Sequence, residues 1–133
     1  MSNRNYPSAR IMNFEHDPVI IAGHFSVTGG AIAANSRYGN GYTVAYTAAG
    51  RFTVTTDDPY NHLVACHAFF ASATPTDRFC TADVPTGGAG AAVAVEINLW
   101  DVSGAAVTDP AAATDEVHFI LYLSNSALDR QAW

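Results

Sequence analysis

From Gly41 to Ala71 the chain reads GYTVAYTAAGRFTVTTDDPYNHLVACHAFFA, and its apolar residues recur at every second position without a helical period anywhere. Strand side chains alternate between two faces, whereas those of a helix return after about 3.6 residues, so this stretch commits the chain to β-structure. Tyr42, Val44 and Tyr46 alternate with Thr43, Ala45 and Thr47, and Phe52 and Val54 alternate with Arg51, Thr53 and Thr55. These are the two arms of a hairpin with one buried face. Ala48-Ala49-Gly50 joins them, and Gly50 stands where such a loop needs positive φ, a conformation open to glycine because it has no Cβ.

The remaining segments extend the pattern. Pro18 to Val27 is a strand with Val19, Ile21, Gly23, Phe25 and Val27 on one face and Ile20, Ala22, His24 and Ser26 on the other. Gly23 marks a bulge or a close approach by another backbone. The stretch TGGAIAANSRYGNG is a loop, with room for a short turn or strand at Ala31 to Ala34, and Asn40-Gly41 is a turn signal. Pro59 cannot donate to a ladder, so the second arm is expected to end near Thr56 and the next strand to run from His62 to Ala71. In that strand Leu63, Ala65, His67, Phe69 and Ala71 oppose Val64, Cys66, Ala68 and Phe70, and both sets are largely apolar.

Arg78 to Val84 is a shorter strand, followed by a Pro85 to Gly90 loop suited to mobility or contact with a neighbour. Ala91 to Asp101 directs Val93, Val95, Ile97 and Leu99 to the core and Ala94, Glu96, Asn98 and Trp100 away from it. Val102 to Thr114 is a surface loop. Glu116 to Asn125 closes the chain with Val117, Phe119, Leu121 and Leu123 opposite His118, Ile120 and Tyr122. About seven short strands separated by turn signals point to an all-β fold, an antiparallel β-sandwich or a flattened β-barrel. Residues 1–17 have no period but carry Tyr6, Pro7, Ile11, Met12 and Phe14. They form an extended N-terminal arm on a neighbouring subunit, a first strand, or a strap over a domain spanning 18–133.

A chain of 133 residues is long enough to bury a core without disulfides or a metal. Its net charge of −6, with no basic cluster, argues against nucleic acid as a partner. No apolar run is long enough for a bilayer, and the first residues lack the apolar stretch of a signal peptide, so neither a membrane nor export is expected. Cys66 and Cys80 could approach if Leu63 to Ala71 and Arg78 to Val84 paired as a hairpin. Reduced, buried thiols are the expectation.

Chemistry is sparse. The five histidines have no zinc-protease spacing. A site gathering Cys66, His67, Cys80 and His118 meets the objection that Cys66 and His67, adjacent in a strand, point to opposite faces. Asp57, Asp58, Asp109, Asp115 and Glu116 lack calcium-loop spacing and read as solubilising turn residues. No nucleophile-elbow, Walker or dinucleotide pattern occurs. The expectation is no enzyme, no cofactor and no metal. Two strands apolar on both faces, His62 to Ala71 and Glu116 to Asn125, are unusual for a free monomer and point to a homo-oligomer or larger assembly.

One order of motifs adds to this reading. The YTVxxTxxGxFTVT hairpin of Tyr42 to Thr56 precedes an acidic turn from Asp57 to Leu63. A D-x-SG-A-V loop follows at Asp101 to Val107, then a closing V-H-F-x-L strand at Val117 to Ser126. Over Pro18 to Leu128 this resembles small virion proteins of tailed bacteriophages, the capsid decoration (cement) proteins. The resemblance implies a non-catalytic protein on the capsid surface of the virion, made in the host bacterial cytoplasm. It would bridge subunits of the major capsid protein as a trimer. Arg4, Tyr6, Arg10 and Phe14 of the arm, with Trp100 and Trp133 as aromatic anchors, are the expected capsid or subunit contacts. A β-sandwich module of a phage tail or fibre, binding carbohydrate or a receptor, is the alternative.

Overall fold

The computed structural model describes residues 19–74, 77–83, 85–103 and 106–124. Arg4, Tyr6, Arg10, Phe14 and Trp133, and with them the expected arm, lie outside the described residues. Among the described residues nine strands alternate with turns: β1 (Val19–Thr28), β2 (Ala31–Ile32), β3 (Tyr42–Ala48), β4 (Arg51–Tyr60), β5 (His62–Ala71), β6 (Arg78–Ala82), β7 (Ala91–Asp101), β8 (Ala106–Val107) and β9 (Glu116–Ser124). They form two antiparallel sheets, one ordered β2-β1-β9-β5 and the other β3-β4-β7-β6, with β8 pairing to β7. The sheets face one another as a β-sandwich. Their edges meet where β2 approaches β3 and β5 approaches β6.

The alternation read from sequence sets which side chains fill the space between the sheets. Ile21, Phe25 and Val27 of β1 and Val117, Phe119, Leu121 and Leu123 of β9 meet Phe52 and Val54 of β4 and Val93, Val95, Ile97 and Leu99 of β7, all of them buried. Aromatic rings tie the layers edge to face, Phe25 to Phe52 at 5.3 Å between centroids and Tyr42 to Phe119 at 4.7 Å. Gly23 faces the same core, and the Tyr42 hydroxyl occupies the volume its missing side chain leaves, donating to the Tyr38 carbonyl. The close approach foreseen at Gly23 is thus a tyrosine ring end together with the Tyr38 backbone.

Three expectations change. The β4 strand passes Pro59 and runs to Tyr60, because its ladder with β7 shifts register between Thr55 and Pro59. A bulge is where a strand tolerates proline. Thr56 Oγ1 fills the gap, accepting from the Val93 amide at 3.0 Å and donating to the Asp58 carbonyl at 2.8 Å. Asn61 alone then carries the chain from one sheet to the other, its amide donating to Ser124 O.

The second change concerns β5, an edge strand whose alternation is interrupted. A register shift between Leu63 and Ala65 leaves Val64 bulged, so Leu63 faces the core together with Cys66, Ala68 and Phe70. Third, the loop before β7 is pinned: Thr86 and Ala94 exchange both backbone hydrogen bonds at 2.8 Å, and the Ala89 amide donates to Asn61 O at 2.8 Å. Gly50 adopts φ +66°, as its place in the hairpin required.

The hairpin anticipated between the cysteine strands does not form, since β5 and β6 belong to different sheets. Cys66 and Cys80 are free thiols packed against the core from those two strands. Burial raises both thiols, and Cys80 is pushed from 9.0 up to about 12. The folded state therefore holds these protons more tightly than the unfolded chain. Their stability contribution is whole below pH 9.0 and is lost as the pH rises toward about 12. Urea midpoints measured from pH 8 upward should hold steady and then fall, and Cys80→Val should flatten the decline.

Candidate functional site

The outer face of the β2-β1-β9-β5 sheet is assembled by register. His24 of β1 lies opposite His118 of β9, and His118 lies opposite Phe69 of β5. Next to β1, Tyr38 forms an isolated antiparallel bridge with His24, with backbone hydrogen bonds of 2.9 and 3.2 Å. Directly paired residues share a face, so four rings from four separate segments form one row. They stack in the order Tyr38, His24, His118, Phe69, with centroid separations of 4.8, 4.7 and 4.8 Å and interplanar angles of 10°, 21° and 12°.

Beside the row lies Glu116, two residues before His118 and hence on the same face of β9. Its Oε2 is 3.0 Å from His118 Nε2, a hydrogen bond, and 3.5 Å from His24 Nδ1. The latter is close enough for an ion pair, yet His24 Nδ1 is buried and no hydrogen bond reaches it. The three side chains stay partly open, their exposures being 25% for His24, 27% for His118 and 37% for Glu116. Above them a shallow hollow of about 340 Å³ is lined by His24, Tyr38, Gly39, Phe69, His118 and Ile120.

Flanking rows are mainly apolar, with His67 the polar exception. Ile20 pairs with Tyr122 and Tyr122 with Ala65, while Ala22 pairs with Ile120 and Ile120 with His67. Ile20 is 57% exposed, Phe69 44%, Val64 44% and Tyr122 36%, so the sheet presents to water what sandwiches ordinarily cover with polar residues. No family model, curated protein or solved structure matches the chain. The functional reading therefore rests on this face and on the order of motifs in the sequence.

Other candidate residues fall elsewhere. Trp100 lies half-buried on the outer face of the opposite sheet, its Nε1 donating to Thr81 Oγ1 at 2.9 Å, beside the exposed Phe79. The strands divide the group Cys66, His67, Cys80 and His118: the thiols face the core, His67 and His118 face outward, and His118 is joined by His24 and Glu116 instead.

Two acidic residues do more than solubilise turns. Asp109 accepts from the Gly50 amide at 2.7 Å and from the Tyr46 hydroxyl at 2.8 Å, while its carbonyl accepts from Arg78 at 2.8 Å. Its hydrogen bond is the main reason the Tyr46 hydroxyl is raised above its ordinary value. Buried Asp115 accepts from Ser72 Oγ at 2.8 Å and from the Ala112 amide at 3.1 Å. Each fastens a loop to the sandwich.

Sequence reasoning missed the His24, Glu116 and His118 group because its members come from neighbouring strands that are far apart in the sequence. One signal was present, since the spacing Glu116-x-His118 on a strand places both side chains on one face.

Proposed function

We propose that this chain is a structural virion protein that decorates and cements the outside of a tailed-phage capsid, bridging subunits of the major capsid protein. The outer face of β1, β9 and β5 is its docking surface, and it acts as a homo-oligomer. The observation that carries the reading is the exposed apolar band of Ile20, Val64, Phe69 and Tyr122 on the sheet. Contiguous apolar surface of this kind is a feature of interaction sites. Many copies on a repeating shell let modest contacts add by effective concentration. The acidic body, with a net charge of −6, keeps the free subunit dispersed until it docks.

The stacked row weighs against the alternative of a sugar-binding platform. Sugars pack on open ring faces, and here both faces of His24 and His118 are covered by their neighbours, which leaves only the outer faces of Tyr38 and Phe69. Counting copies in purified particles by quantitative mass spectrometry tests the proposal. Hundreds of copies in simple ratio to the major capsid protein support decoration, a handful point to tail or fibre, and absence rejects a virion role.

Ile20→Asp and Phe69→Asp each place a charge on the band without touching the core. Each should reduce particle occupancy about tenfold or more, as loss of an anchor does at an interface. Stability should change by only about 0.5 kcal/mol, the ordinary range for surface substitutions. Unchanged occupancy in both variants would remove this face from the contact.

A further inference from the structure

The His24, Glu116 and His118 group supports a second reading, independent of what the apolar band meets. One ligand atom from each of His24, Glu116 and His118 lies within 4.8 Å of the other two. A zinc ion bound at about 2.1 Å in tetrahedral geometry needs donors roughly 3.4 Å apart. Two of the three separations, 3.0 and 3.5 Å, are already near that value. The two imidazoles lie 4.7 Å apart and only 21° from parallel, so one ring must turn out of the stack for both to aim a lone pair at the same ion.

The surroundings favour such a site. His24 and His118 project side by side from neighbouring strands of a paired ladder, and Tyr38 and Phe69 brace the two imidazoles from either end. Placing ligands on strands and holding them by packing is what gives a site its precision. The buried His24 Nδ1, without a hydrogen bond, is an unfavourable arrangement in the metal-free protein that coordination would relieve. Two imidazoles and one carboxylate suit zinc and its transition-metal neighbours, whereas calcium and magnesium prefer all-oxygen sets.

We propose that His24, Glu116 and His118 bind a divalent transition metal, with Zn²⁺ the best fit, through His24 Nδ1, Glu116 Oε2 and His118 Nε2. The partial exposure of all three leaves a fourth position open toward solvent on the outer face. Coordination takes each histidine as the neutral imidazole, with the ring proton of His118 on Nδ1 and that of His24 on Nε2.

Calorimetric titration of the full chain with Zn²⁺, after chelator treatment and with thiols kept reduced, tests the site. One ion per chain should bind with micromolar or tighter affinity. His24→Ala and His118→Ala should each weaken binding about thirtyfold or more and Glu116→Gln about tenfold, since each removes a direct ligand. His24→Gln and His118→Gln serve if an alanine variant loses its fold by circular dichroism. His62→Ala and His67→Ala should bind as the parent does. Co²⁺ in place of Zn²⁺ should show ligand-field bands without thiolate charge transfer. Absence of one-to-one binding overturns the proposal, as does binding unaffected by His118→Ala and His118→Gln, binding lost in His67→Ala, or thiolate bands from Cys66 or Cys80.

Discussion

Phe25→Ala is expected to destabilise the domain by about 3–5 kcal/mol, the range for deleting a buried aromatic ring. Phe25 is fully buried between the sheets, edge-on to Phe52 at 5.3 Å and 6.5 Å from Phe119. It therefore contacts both layers, and its loss leaves a void that neither sheet can close by moving alone. Single domains are stable by only about 5–15 kcal/mol, so this change removes a large part of the total. The melting temperature should drop by about 10–20 °C. In urea the midpoint should fall with an unchanged slope, as expected when stability alone is altered. A loss below about 1 kcal/mol would mean that the packing between the sheets is looser than the ring contacts imply.

Gly23→Ala is the second substitution with a large expected effect, although it adds a single methyl group. The new Cβ would overlap the Tyr42 hydroxyl and stand 2.5 Å from Tyr42 Cζ and 2.6 Å from Tyr38 O. Tyr42 is 1% exposed, so its ring has no free volume to enter, and Tyr38 O belongs to the backbone bridged to β1. Overpacking of this kind costs about 1–3 kcal/mol, and the upper end is expected because one of the obstructing atoms is backbone. Tyr42→Leu in the same chain should recover part of the loss by removing the ring end. A coupling energy of about 1 kcal/mol or more in the double-mutant cycle would show direct contact, and strict additivity would show that the tyrosine is not seated over Gly23.

Much of the fold was legible because period-2 alternation says which residues meet between two sheets. Every inward residue read for β7 and β9, Val93 to Leu99 and Val117 to Leu123, is buried. The alternation fails where one residue is inserted. At Val64 a bulge transfers Leu63 to the face of Cys66, and no residue type there announces it. Pro59 misled for a related reason, since a proline read as a strand end is also tolerated within a register shift, and here Thr56 Oγ1 completes the hydrogen bonding.

The candidate site was legible only by halves. The two-sided apolar pattern of β5 and β9 indicated apolar side chains on the outer face, as found at Phe69 and Tyr122, but it could not say that β5 lies at an edge. The pairing of His24 with His118 depends on β1 lying next to β9, a long-range contact that no local pattern encodes. Tyr38 joins them through a single bridge in what reads as a loop.

The strand order β2-β1-β9-β5 has a consequence for how the chain reaches this state. β9, the last of the described strands, lies between β1 and β5, so neither can pair with it until β9 itself has left the ribosome. The β3-β4 hairpin is able to form early, whereas this sheet must wait for a strand made long after β1. During that interval β1 and β5 offer unpaired backbone and apolar side chains to any other nascent copy, the condition in which β-proteins aggregate. Closure between distant strands is also slow, because the loop entropy is lost before any contact compensates it. Yield in a cell should thus depend on crowding and temperature during synthesis more than on the equilibrium stability of the finished domain.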